Sequence, residues 1–118
     1  MKYLVIDDSK LARLSLIKSL KMNIVGDAEI FQAGNGAEAI DIVESEKPDI
    51  AFLDLTMPIM DGYEALPLML EKHPHLKVIV VSADVQERAK LKVLKLGAQL
   101  HVKKPINNIK MQEILKNL

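Results

Sequence analysis

Asp49-Ile50-Ala51-Phe52-Leu53-Asp54-Leu55-Thr56-Met57-Pro58-Ile59-Met60-Asp61-Gly62 is the stretch that decides the fold. Residues 49–53 carry a nearly continuous apolar run, too short for a helix, and read as a central strand buried on both faces. Asp54 closes the run. A carboxylate at the end of a buried strand is costly unless something uses its charge. Pro58 then marks a loop, and Asp61-Gly62 starts a helix. The order is strand, acid, loop, helix: one βα step with an acid at its turning point.

The same step recurs outward in both directions. Apolar strand-like runs lie at residues 2–6, 28–32, 77–81 and 99–102, with helix-length segments between them. Five alternations predict an α/β fold with a five-stranded parallel sheet covered on both faces by five helices. The punctuation agrees. Gly34-Asn35-Gly36 turns into a helix over 37–46, which Lys47-Pro48 ends. His73-Pro74 ends the third helix, and Gly97 is placed to cap a helix over 84–96. Pro67 breaks a local rule: it sits inside the third helix, where it removes a backbone hydrogen bond.

In open parallel sheets, ligands bind at the carboxyl ends of the strands. Charged and hydroxyl groups gather at those ends. Asp7 and Asp8 close the first strand, Asp54 the third, Ser82 the fourth and Lys104 the fifth. Clustered carboxylates repel one another unless a cation intervenes. Oxygen ligands with no His or Cys nearby suit a hard ion, Mg2+ above all. Asp8 and Asp54 are the direct ligand candidates, with Asp7 acting through water and a backbone carbonyl near Thr56 as a further donor. A carboxylate can also be the nucleophile of phosphoryl transfer, giving an acyl phosphate. Lys104 and Ser82 would then neutralise the phosphoryl oxygens. Asp54, on a central strand between the acid pair and Lys104, is the nucleophile candidate.

Each residue alone has a plainer reading. Asp7-Asp8 could be a helix N-cap, Ser82 the N-cap of helix 84–96, Lys104 a surface lysine, and Thr56 and Asp84 ordinary loop residues. Together, the acid pair, Asp54 and Lys104 favour the metal reading.

Together these residues resemble a response-regulator receiver domain. The resemblance runs from Lys2 to Leu118. It rests on Asp7-Asp8, on Leu53-Asp54-Leu55-Thr56-Met57-Pro58-Ile59-Met60-Asp61-Gly62, on Ser82-Ala83, and on Gly97-Ala98 seven residues before Lys104-Pro105. It implies a doubly wound, flavodoxin-like sheet of order 2-1-3-4-5. It also implies phosphorylation of Asp54 by a histidine kinase or phosphotransfer protein with Mg2+, a cis Lys104-Pro105 bond, and self-directed phosphoryl transfer with slow autodephosphorylation rather than enzyme turnover. Receivers usually carry Tyr or Phe three residues before the lysine, as a switch coupled to Ser or Thr. This chain has His101, smaller and titrating near neutrality, which leaves three alternatives: a muted switch, a different one, or none. Thr56 and Asp84 occupy positions that tune phosphoryl lifetime in the family.

The bulk composition fits this reading. The 118 residues suffice for one domain, 1–118, with a real core, and 49% are apolar. There is no cysteine, hence no disulfide framework or thiolate metal site. No signal peptide or stretch of membrane length is legible, so the expectation is a cytoplasmic protein without membrane insertion. Zero net charge argues against a nucleic-acid partner. The charge is uneven, however. From Asp84 onward there are eight basic and three acidic residues, against eight and thirteen before it. The basic end includes Lys90, Lys92 and Lys95 and favours an acidic or amphipathic target. By family analogy that target meets helix four, strand five and helix five.

The first helix carries Leu11, Leu14, Leu16, Ile17 and Leu20 around most of its circumference, more than one stripe on a sheet needs. Leu11 and Leu14 are the candidates for a kinase-docking surface. The expected role is a stand-alone regulator in chemotaxis or a phosphorelay. The alternatives are a receiver cut from a longer DNA-binding or enzymatic regulator, and a scaffold that works without phosphorylation. A flavodoxin-like cofactor binder is the rival from another class. Asp7-Asp8-Ser9-Lys10 disfavours it, because two acids after strand one would repel an FMN phosphate.

Overall fold

A computed structural model describes residues 1–83 and 86–118. Its elements alternate without exception: β1 (Lys2–Ile6), α1 (Lys10–Asn23), β2 (Glu29–Ala33), α2 (Gly36–Glu46), β3 (Ile50–Leu53), α3 (Gly62–Lys72), β4 (Lys77–Ser82), α4 (Glu87–Lys95), β5 (Leu100–Lys103) and α5 (Asn108–Lys116). The strands form one parallel sheet in the order β2-β1-β3-β4-β5. The expected doubly wound α/β class and strand order are both borne out.

Strand alternation sorts the core into two layers. Leu4, Ile6, Leu53 and Val80 point to one face, where Val43, Leu66, Met69 and Val93 of α2, α3 and α4 cover them. Tyr3, Val5, Phe52 and Val81 point to the other, against Ile17 and Leu20 of α1 and Met111 and Ile114 of α5. The three central strands are buried on both faces, which is why they read as unbroken apolar runs.

Helix starts follow local chemistry. Ser9, Asn35, Asp61 and Asn107 each accept from the backbone N–H three residues on, at 3.2, 3.0, 2.9 and 2.9 Å. Ser9, not the acid pair, is therefore the cap of α1. Helix α2 stops before Pro48 as expected, with Lys47 as its C-cap in the left-handed region at φ 48°. Gly97 takes φ +109° just after α4, whose cap is Leu96. Helix α4 begins at Glu87 instead of 84, with Gln86 as N-cap and no side-chain cap bond. Ser82 ends β4 and does not cap it. Residues 84 and 85, and with them the expected role of Asp84, lie outside the described residues.

Helix α3 begins at Gly62 and continues past Pro67 to Lys72. Pro67 is exposed, so the Tyr63 carbonyl that loses its helical donor can turn to water. Among the described residues no helix is long and apolar enough to cross a membrane.

Candidate functional site

The sheet's carboxyl edge brings the sequence-selected residues together. Asp7 leaves β1 buried, and its N–H continues the β2 ladder by donating to Ala33 O at 3.1 Å. Asp54 leaves β3 at 8% exposure, with its N–H donating to Ile6 O at 3.0 Å. Backbone pairing thus fixes both acids side by side. Lys104 is positioned the same way: its N–H donates to Ser82 O at 2.9 Å.

The side chains close the triangle. Lys104 Nζ lies 2.7 Å from Asp7 Oδ2 and 3.3 Å from Asp54 Oδ1. Asp7 Oδ1 accepts from Ser9 N–H at 2.9 Å, and Asp54 Oδ1 accepts from Leu55 N–H at 2.9 Å. Asp8 is exposed at the rim, and one oxygen from each of Asp7, Asp8 and Asp54 lies within 4.8 Å of the others. Thr56 is an exposed loop residue two positions after Asp54. The Lys104-Pro105 peptide is cis.

Three acids facing one ammonium leave the site electronegative. Burial, and then the charge of Asp7, raise the Asp54 carboxyl above its ordinary range against the pull of Lys104. Burial alone would lower the Lys104 ammonium. Its hydrogen bond to Asp7 and the charges of Asp54 and Asp7 outweigh that and raise it. The all-oxygen donor set and its spread fit an octahedral Mg2+, whose opposed ligands stand about 4.2 Å apart, after a small inward movement or through water. Zn2+ or Cu2+ would favour nitrogen or sulfur, and neither is present among these three ligands.

Family models match the response regulator receiver domain over residues 3–116. The chain belongs to this family. Chemotaxis protein CheY of Listeria monocytogenes is 39% identical over 119 residues, covering 98% of this chain and 96% of its own. Sporulation initiation phosphotransferase F of Bacillus subtilis is 33% identical over 119 residues, covering 98% and 90%. In three dimensions the chain is similar to a CheY-like receiver domain protein from Methanospirillum hungatei, with TM-score 0.86, 25% identity, and coverage of 98% and 90%. The chain is thus a receiver of the two-component signalling class.

Two features of this receiver were not singled out from the sequence. Arg13 on α1 donates from Nη1 to the Asp7 carbonyl at 2.7 Å and from Nε to Gln32 Oε1 at 3.0 Å, pinning the acid-bearing loop to β2. Its placement six residues after Asp7 is the only sequence signal, and it is weak. Gly62 is the other. A Cβ there would strike the Asp54 carbonyl oxygen and come within 2.8 Å of Leu55 Cα. Helix α3 therefore starts hard against the backbone that carries Asp54. Sequence reading assigned Gly62 to a helix start and missed this contact.

His101 is half-buried on β5, and its Nε2 lies 2.8 Å from Ser82 Oγ. Position 101 therefore holds Ser82 directly, through a polar contact that Phe could not make.

Proposed function

We propose that this receiver takes a phosphoryl group onto Asp54 from a phosphohistidine of a histidine kinase or phosphotransfer protein, and signals through protein contacts. The observation that carries this reading is the Asp54 carboxylate, buried at a strand end, 3.3 Å from Lys104 Nζ and within 4.8 Å of oxygens of Asp7 and Asp8. Asp8 and Asp54 would hold Mg2+, with Asp7 through water and the Thr56 carbonyl as a further donor. The ion would supply positive charge for the phosphoryl oxygens.

With Oδ1 engaged by Leu55 and Lys104, Oδ2 of Asp54 attacks phosphorus. The P–N bond to the donor imidazole breaks, its electron pair stays on nitrogen, and an Asp54 acyl phosphate forms. Lys104 and Ser82 take the phosphoryl oxygens. The chain acts once on itself, with slow hydrolysis to reset it.

Leu11 at 81% and Leu14 at 44% exposure form an apolar strip beside the acids that suits docking of the donor's helices. Lys90, Lys92 and Lys95 on α4 favour an acidic or amphipathic target on the α4-β5-α5 face. Similarity to a chemotaxis protein and to a sporulation phosphotransferase supports a role in chemotaxis or a phosphorelay.

The test is intact-mass analysis after incubation with Mg2+ and acetyl phosphate. One Mg2+-dependent phosphate adduct is expected on the wild type and none on Asp54→Asn. An equal adduct on both rejects the assignment. Unchanged transfer from the kinase to a Leu11→Ala/Leu14→Ala variant rejects the docking strip.

A further inference from the structure

The β4-β5 register pairs Val80 with His101 and Ser82 with Lys103. Val80 belongs to the α2-α3-α4 layer, while Val81, Leu100 and Val102 belong to the α1-α5 layer. Alternation therefore puts Ser82 and His101 on one face as diagonal neighbours, with Val81 on the opposite face beside Phe52. Ser82 is 4% exposed, and its Oγ lies 2.8 Å from His101 Nε2. A hydrogen bond this short, shielded from water, has weight.

We propose that His101 is a positioning residue that holds the Ser82 hydroxyl toward β5 and so opposes phosphoryl capture at Asp54. The proposal rests on the reading of Asp54 as the phosphoacceptor. Whichever ring nitrogen carries the proton, Ser82 Oγ must leave the imidazole to reach a phosphoryl oxygen at the end of β3. The contact with the imidazole is given up in that movement, and its loss reduces the gain. Phe at this position could not make this bond, so this part of the cost would be absent. The His101 receiver captures its phosphoryl group less tightly than the same chain without the imidazole. The bond it must give up accounts for about a 2- to 10-fold difference.

Two measurements test this. The first is the 15N shift of the His101 imidazole by NMR in the wild type and in Ser82→Ala, with His73 and His75 as internal references. The Nε2 resonance of His101 should move and the other two should not. An unmoved His101 resonance overturns the proposal without any phosphoryl chemistry. The second is beryllofluoride affinity, with Mg2+, of the wild type, His101→Leu, His101→Gln, Ser82→Ala and the Ser82→Ala/His101→Leu double variant.

His101→Leu should bind about 2- to 10-fold more tightly. His101→Gln, which can keep a hydrogen bond, should fall between. In the Ser82→Ala background the His101→Leu gain should vanish. A gain of the same size there would mean repacking, and His101→Leu binding no more tightly than wild type would also reject the latch. Failure of the wild type itself to bind beryllofluoride would instead remove the phosphoacceptor reading and the latch together.

Discussion

Replacing Gly62 by alanine separates two effects of opposite sign. Glycine inside a helix is less stable than alanine by about 0.5–1 kcal/mol, and Gly62 is the first residue of α3 with no positive φ to protect. Propensity alone therefore predicts that Gly62→Ala stabilises the fold. The local space predicts the reverse. The new methyl would overlap the Asp54 carbonyl oxygen and sit 2.8 Å from Leu55 Cα, both backbone atoms that cannot swing aside. Either α3 or the Asp54-Leu55 peptide must shift by several tenths of an ångström, and the Gly62 N–H bond to Leu55 O, now 2.9 Å, would stretch. Overpacking of this kind costs about 1–3 kcal/mol. The net effect is a loss on the order of 1–2 kcal/mol, or a Tm lower by roughly 4–10 °C for a chain this size. The shift falls on Asp54, the proposed nucleophile, and a misplacement approaching 1 Å costs on the order of 10²-fold in rate. The acetyl phosphate reaction of Gly62→Ala should therefore slow by about 10-fold or more, even well below its Tm. Urea unfolding followed by circular dichroism gives the first quantity, and timed intact-mass spectra give the second. A variant as stable as wild type and phosphorylated at the same rate would show that the contact is relieved freely and refute the reasoning.

Three further outcomes follow from the site and its loop. Asp54→Asn should raise Tm in metal-free buffer at neutral pH. The folded-state pKa of Asp54 is raised, so the wild type is relatively most stable below the ordinary carboxylate value of about 3.9 and loses that advantage as pH rises through the folded pKa. The Tm gain of the Asn variant should grow over that window, and a gain largest in acid would contradict it. Lys104→Met should destabilise by about 1–3 kcal/mol at pH 7, because Asp7 loses its cation at 2.7 Å. Acid should erase this loss and Mg2+ should reduce it, as chemical denaturation at two pH values can show. Ile59 holds φ 68° while Met60 N–H reaches back to Pro58 O at 2.7 Å, a tight turn that a β-branched residue enters at a cost. Ile59→Gly should leave stability level or raise it by up to about 1 kcal/mol, since relief of strain exceeds the added chain entropy. A clear fall in urea midpoint would show that the exposed isoleucine makes a favourable folded-state contact.

The sheet was legible because its central strands are buried on both faces and each is closed by a polar group. Tyr3 to Ile6 ends at Asp7, Ile50 to Leu53 at Asp54, and Val78 to Val81 at Ser82. Reading apolar runs and their terminators therefore located the strands to within a residue and the site with them. The start of α4 was not legible, since Gln86 makes no side-chain cap bond that would mark it. The excess leucines of α1 were legible as an excess. Which of them lie exposed depends on α5, which covers Ile17 and Leu20 and leaves Leu11 open. Contacts that depend on register or close approach carried no local signal. The Ser82–His101 bond needs the β4-β5 pairing, and the Gly62 contact needs the docking of α3 against the end of β3.

The bond between Lys104 and Asp7 joins residues 97 positions apart. At a synthesis rate of about 5–20 residues per second, roughly 5–20 s separate the making of the acid from the making of its lysine. Until then Asp7 and Asp54 lack this internal cation. A fragment that ends between residues 54 and 103 holds Asp54, the proposed acceptor, without the Lys104 ammonium. On the proposed reading, phosphoryl acceptance is thus reserved for molecules whose last strand has been made and docked, because only they carry Lys104 against Asp7.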